Sequence, residues 1–170
     1  MSLSLIILLG ILPLAISYAA ASDLVTMTIS NRLCLSLIVT FALYVALLGL
    51  PLSTIGWHLA SSMLVLAVSF GFFAAGWIGG GDAKFAASMA LWFGFDQLGP
   101  YLAVAGLLGG ILTLLILRLR SHPLPALVAQ WSWARRLHAA NEGVPYGIAL
   151  AFAALLVLPE TSIWHAAIGG

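Results

Sequence analysis

Residues 101–117 read YLAVAGLLGGILTLLIL, and Arg118 closes the run. Nothing in that stretch carries a charge. It is as long as the shortest helices that cross roughly 30 Å of hydrocarbon. Comparable runs lie at Leu3 to Ala21, Leu33 to Leu52 and Ile55 to Ile78. Two shorter ones follow the same pattern: Ala83 to Phe95, which extends through Leu98 if Asp96 and Gln97 sit at an interface, and Val144 to Leu158. The reading is an all-α integral membrane bundle of six transmembrane helices, forming a single domain over residues 1–170.

The composition agrees. The chain has 170 residues, 63% of them apolar and only 6% charged, where a soluble domain carries about 25% charged residues. Eleven charges cannot coat a soluble protein of this size. A disordered chain would be far less apolar. A nucleic-acid binder would need a basic face that six Lys plus Arg hardly supply. Cys34 is the single cysteine, which excludes an internal disulfide and any paired-cysteine zinc or redox motif.

Orientation follows from parity, because each crossing changes sides and Lys and Arg collect in cytoplasmic loops. With six spans, the loops after the first, third and fifth share a side. They and their helix ends hold Arg32, Lys84, Arg118, Arg120, Arg135 and Arg136, which is every basic residue apart from histidine. Asp96 and Glu160 fall on the other side, so both termini are expected outside. The N-terminal run also resembles a signal peptide, with Ala19, Ala20 and Ala21 as a cleavage site, but no Lys or Arg precedes it. A spanning helix is the preferred reading. The loop from Arg118 to Gly143 is the longest. Leu124, Leu127, Val128, Trp131 and Ala134 recur there at helical spacing, which predicts an interfacial amphipathic helix after Pro123 and Pro125. The GxxxG spacings Gly76 to Gly80 and Gly106 to Gly110, together with Gly49 and Gly71, are expected to serve internal packing.

Asp23 closes the first span and Asp82 opens the fourth. Parity brings both to the same depth on the cytoplasmic side. Acids are costly within a bilayer and stand at helix ends or serve function. Two carboxyls at one level can hold a water between them, one acting as base toward it and the other donating to a peptide carbonyl. Plainer assignments exist: Asp82 as a helix N-cap, and Asp23 as a solvated loop residue. The glycines before Asp82 argue for more, since glycine lets another chain approach closely. Lys84 could bind an anionic part of a substrate, or could simply reach the headgroups. His58, His122, His138 and His165 have no ligand spacing, so no metal is expected. No serine-nucleophile motif is present.

Gly79-Gly80-Gly81-Asp82-Ala83-Lys84 resembles the GxGD element of intramembrane aspartic proteases, and the trailing lysine points to the type IV prepilin peptidases. Asp23 followed by Ile29-Ser30-Asn31-Arg32 is similar to that family's first-aspartate segment, with Ser30 where proline is usual. Val144-Pro145-Tyr146-Gly147-Ile148-Ala149 resembles the opening of the last helix in the short members. The resemblance implies an aspartic endopeptidase of the inner (plasma) membrane that cuts the basic leader from a prepilin's hydrophobic helix at the cytoplasmic face. Asp23 and Asp82 would be catalytic, with Gly79, Gly81, Lys84 and Asn31 supporting the substrate. It implies no cofactor and no nucleic-acid partner, and leaves the oligomeric state open. The zinc-motif region associated with N-methylation is not expected, which makes the chain similar to the short peptidases of tight-adherence (Flp) pilus systems. The competing reading is a non-catalytic or transporter-like membrane protein in which the two aspartates bind a cation or protons.

Overall fold

The structure, a computed structural model, describes residues 2–168, and among them every regular element is helical. Helix α1 spans Leu3–Thr26. It contains one π turn, Ile7–Ile11, just before Pro13. Proline lacks an amide hydrogen and crowds the carbonyl four residues back, and the wider turn absorbs that conflict. At its other end Met27 takes a left-handed conformation with φ 55° and stops the helix.

Helix α2 spans Asn31–Leu48. Ser30 is its N-cap: the hydroxyl accepts the Leu33 amide at 3.2 Å, the usual way a serine satisfies a first-turn donor. The residue that departs from the family pattern therefore has a defined task. Gly49, at φ 63°, ends α2. Helix α3 spans Leu52–Ala74 and ends short of the expected Ile78, because the chain turns at Gly76 with φ 75°.

Helix α4, Gly80–Arg120, covers 41 residues as two helical arms that meet at Gly94 (φ 62°, ψ −167°), a conformation open essentially to glycine alone. If straight it would be about 60 Å long. It is not straight. The rings of Phe93 and Tyr101 lie 4.6 Å apart across the break. Near its start Asp82 shares a cavity with Asp23, while at its end Arg120 bonds to Leu137 and Gly143, and Arg136 bonds to Val25 in α1. Both ends of α4 thus meet the same end of α1, and the chain reverses at Gly94. His58 fills the inside of the bend. Its Nδ1 donates to the Leu91 carbonyl at 2.8 Å, three residues before the break.

The segment after α4 holds two short helices, α5 (Ala126–Ala129) and α6 (Ser132–His138). The single amphipathic helix expected there is interrupted at Gln130 and Trp131, and Trp131 stacks on Trp133. Helix α7, Tyr146–Val157, continues through a 3₁₀ turn, Leu158–Glu160, into α8, Ser162–Ile168, at a bend of 53°. Among the described residues four helices, α1 to α4, are long and apolar enough to cross a bilayer, and the bent α7–α8 pair adds a fifth if it is taken as one span. The count falls short of the expected six because the two arms of α4, joined at Gly94, count together as one helix.

The core lies where α4 packs against α3 and α7, with α1 against α7. Trp92, Tyr44, Tyr101 and Phe85 are fully buried. Trp92 Nε1 donates to the Leu37 carbonyl at 3.2 Å and Tyr44 Oη to the Ile163 carbonyl at 2.8 Å, so two large rings in the core also satisfy their polar atoms. Apart from Gly80, the GxxxG glycines do not serve internal packing: beside Gly76, Gly106 and Gly110, and beside Gly71, a Cβ would meet nothing within 4 Å. Gly49 ends a helix and likewise has no close neighbour. The close approach falls instead at Gly109, where a Cβ would stand 2.0 Å from the Tyr146 ring.

Candidate active site

Asp23 sits in the last turn of α1, only 4% exposed. It is therefore no solvated loop residue. Its Oδ2 accepts the Gly147 amide at 2.8 Å, in the first turn of α7, where amides have no helical acceptor. The fit there is close. A Cβ on Gly147 would stand 2.8 Å from Asp23 Oδ2 and 2.6 Å from Ile29 Cδ1. Only glycine lets the α7 backbone come that near.

Asp82 lies in the first turn of α4, and the N-cap position itself is held by Gly79. Its carboxyl folds back over the helix start, so that a Cβ on Gly79 would be 3.2 Å from Asp82 Oδ2. Asp23 and Asp82 line one cavity of about 250 Å³, together with Met27, Thr28, Ile29 and the three glycines Gly79, Gly80 and Gly81. Two acids far apart in sequence thus face a common space large enough for water and a short piece of extended chain.

Two of these glycines also have a neighbour from another element. A Cβ on Gly81 would approach the Ile29 amide nitrogen at 3.1 Å, and one on Gly80 the Phe73 ring at 3.2 Å. The triplet lets the turn of residues 27–30 rest on the start of α4. That turn is tied to α1 by hydroxyls: Ser22 donates to the Thr28 carbonyl at 2.9 Å, and Thr26 and Thr28 share a bond of 2.7 Å.

Lys84 and Asn31 come together, with Lys84 Nζ donating to Asn31 Oδ1 at 2.9 Å. The pair joins the first turn of α2 to the start of α4 beside the cavity. Two arginines tie down the segment that follows α4. Arg120 donates to the carbonyls of Leu137 and Gly143, both at 2.9 Å, and Arg136 donates to the Val25 carbonyl. These bonds hold the segment leading to Pro145 and Gly147 against the end of α1.

The structure brings Asp23, Asp82, Gly79, Gly81, Lys84 and Asn31 into one region. Sequence reasoning missed the use of Gly147 and the bend at Gly94. The segment around Gly147 stood out by resemblance, but nothing local to it names Asp23 as its partner. Gly94 lies in an apolar run, where an isolated glycine gives no sign of a left-handed φ.

The model of the type IV leader peptidase family matches residues 10–114, a stretch that contains both aspartates. No curated protein and no solved structure matches the chain. With the family model covering more than half of its length, the chain belongs to the type IV leader peptidase family.

Proposed function

We propose that this protein is an aspartic endopeptidase that removes the leader of a type IV, Flp-like prepilin at the cytoplasmic face of the inner membrane. The observation that carries the reading is the shared cavity of Asp23 and Asp82, within a chain of the leader peptidase family. In this mechanism one carboxylate takes a proton from a water as the water oxygen bonds to the scissile carbonyl carbon. The other, protonated, carboxyl donates to the carbonyl oxygen. Collapse of the tetrahedral adduct breaks the C–N bond as the carboxyl that took the water's proton delivers it to the departing amine, while the other carboxylate takes back a proton from an adduct hydroxyl and the carbonyl re-forms. The Gly147 amide donates to Oδ2 of Asp23 and orients that carboxyl in the cavity.

Membrane placement is part of the proposal. Counting the arms of α4 on either side of Gly94 separately, with α1, α2, α3 and α7, makes six crossings with both termini outside. The first arm, residues 80–93, rises only about 21 Å, less than the roughly 30 Å of hydrocarbon, so in this placement Asp82 lies at or just below the cytoplasmic boundary. Lys84, Arg120 and Arg136 all make their bonds at the Asp23 end of the bundle. The excess of Lys and Arg on cytoplasmic sides supports the assignment of that end. The substrate is a basic leader joined to a hydrophobic helix. The catalysis is confined to peptide hydrolysis, without the methylation carried out by larger relatives.

The test co-expresses Asp23→Asn and Asp82→Asn separately with the pilin precursor and follows the leader by gel shift. Each variant is expected to leave the precursor intact while reaching normal levels in the membrane. Full processing by either one refutes the dyad.

A further inference from the structure

Helices α2 and α3 follow one another in the chain, yet each packs on α4 and they scarcely touch. The gap between them is a groove of about 310 Å³ open to the bilayer. Its floor is made of small residues, Cys34, Ser62, Ala87 and Ser88, and its rims of Leu35, Ile38, Met63 and Leu66. The floor hydroxyls are already engaged: Ser62 Oγ donates to the Ala87 carbonyl and Ser88 Oγ to the Lys84 carbonyl, both at 2.8 Å. What remains is an apolar channel whose small floor admits a close-packed helix, the feature that favours helix association in lipid.

The groove ends on the catalytic cavity. Asn31 and Lys84, the hydrogen-bonded pair, line its cytoplasmic end, while Ile29 and Asp82, each two residues away, line the cavity of the two carboxyls. From Asp82 to Ala87 the helix rises only about 7.5 Å. A chain with its scissile bond at the carboxyls and its next residues entering the bilayer meets this groove within two helical turns. The geometry points to the groove between α2 and α3 as the docking site for the first turns of the substrate's hydrophobic helix, with the Lys84–Asn31 pair marking where the extended, cleavable segment ends and the helix begins. This inference rests on the proposed peptidase reading and adds to it the face of the bundle on which the substrate lies. A lipid chain is the competing occupant.

Disulfide trapping tests it. In the full chain with Cys34→Ala, a cysteine is placed at Leu35 or Met63 on the rims, or at Leu14 or Leu114 as controls. All four side chains are more than half exposed. A second cysteine is placed one or two turns beyond the cut in the pilin, and Asp82→Asn keeps the precursor whole. Rim positions are expected to form the mixed disulfide about tenfold or more over the controls, because docking raises the local concentration of the partner thiol. Equal trapping at rim and control positions, or none at the rims, overturns the groove and leaves it to lipid. Cleavage of the pilin by the unaltered chain reads the peptidase assignment separately. If that cleavage is absent, the peptidase reading fails and the docking inference falls with it.

Discussion

The amide of Gly147 donates to Oδ2 of Asp23 at 2.8 Å and so joins the last turn of α1 to the first turn of α7. The bond fixes one carboxyl of the pair. It also makes a residue outside the stretch matched by the family model part of the site.

Gly147→Ala is expected to lower leader cleavage by at least about tenfold, a loss of roughly 1.4 kcal/mol in transition-state stabilisation. The added methyl would overlap both Asp23 and Ile29, and the carboxyl has to leave its place. The rate of processing of a purified precursor in detergent measures this. Wild-type rates would mean that the bond does not position Asp23.

Gly109→Ala should destabilise the bundle by about 1–3 kcal/mol, the usual cost of overpacking, because the Tyr146 ring occupies the space of its Cβ. Gly106→Ala and Gly110→Ala should be close to neutral, since nothing stands beside either. Thermal unfolding of the three variants in detergent distinguishes them. Adding Tyr146→Ala should recover much of the loss at position 109, and failure to recover would place the strain elsewhere.

Arg120→Ala removes the donor to the carbonyls of Leu137 and Gly143. Each bond contributes about 1 kcal/mol at most where it is partly exposed. The fold should persist while the segment between α4 and α7 loosens. The expected outcome is faster limited proteolysis within residues 121–143, together with slower leader cleavage. Unchanged proteolysis would show that these bonds do not hold the segment.

His58→Ala removes the buried side-chain donor to the Leu91 carbonyl and opens space beside Gly94. Loss of such a bond costs about 1 kcal/mol. Gly94→Ala should be at least as damaging, because its backbone conformation is closed to other residues and its Cβ would lie 3.1 Å from the His58 ring. Unfolding midpoints in detergent check both. A neutral His58→Ala would refute the role given to the ring.

Much of the site is legible in the sequence because its parts are local. Asp23 and Asp82 stand out as acids in an almost uncharged chain, and Gly79-Gly80-Gly81 marks a place where backbones meet. The expectation about GxxxG spacing failed at most of its positions for a physical reason. A glycine's value depends on what faces it, and Gly109, one residue from the motif position, is the one that meets the Tyr146 ring.

Apolar runs and the placement of charge determined the class of this protein, because a bilayer allows few other uses for such a sequence. They also determined which acids had to be explained, through their position at the ends of those runs. Only the tertiary structure decided that α4 turns back at Gly94, that Gly147 holds Asp23, and that Lys84 pairs with Asn31. Each of these depends on contacts between residues distant in sequence. Periodicity and composition describe one segment at a time, and pairing across segments emerges only when the chain is packed.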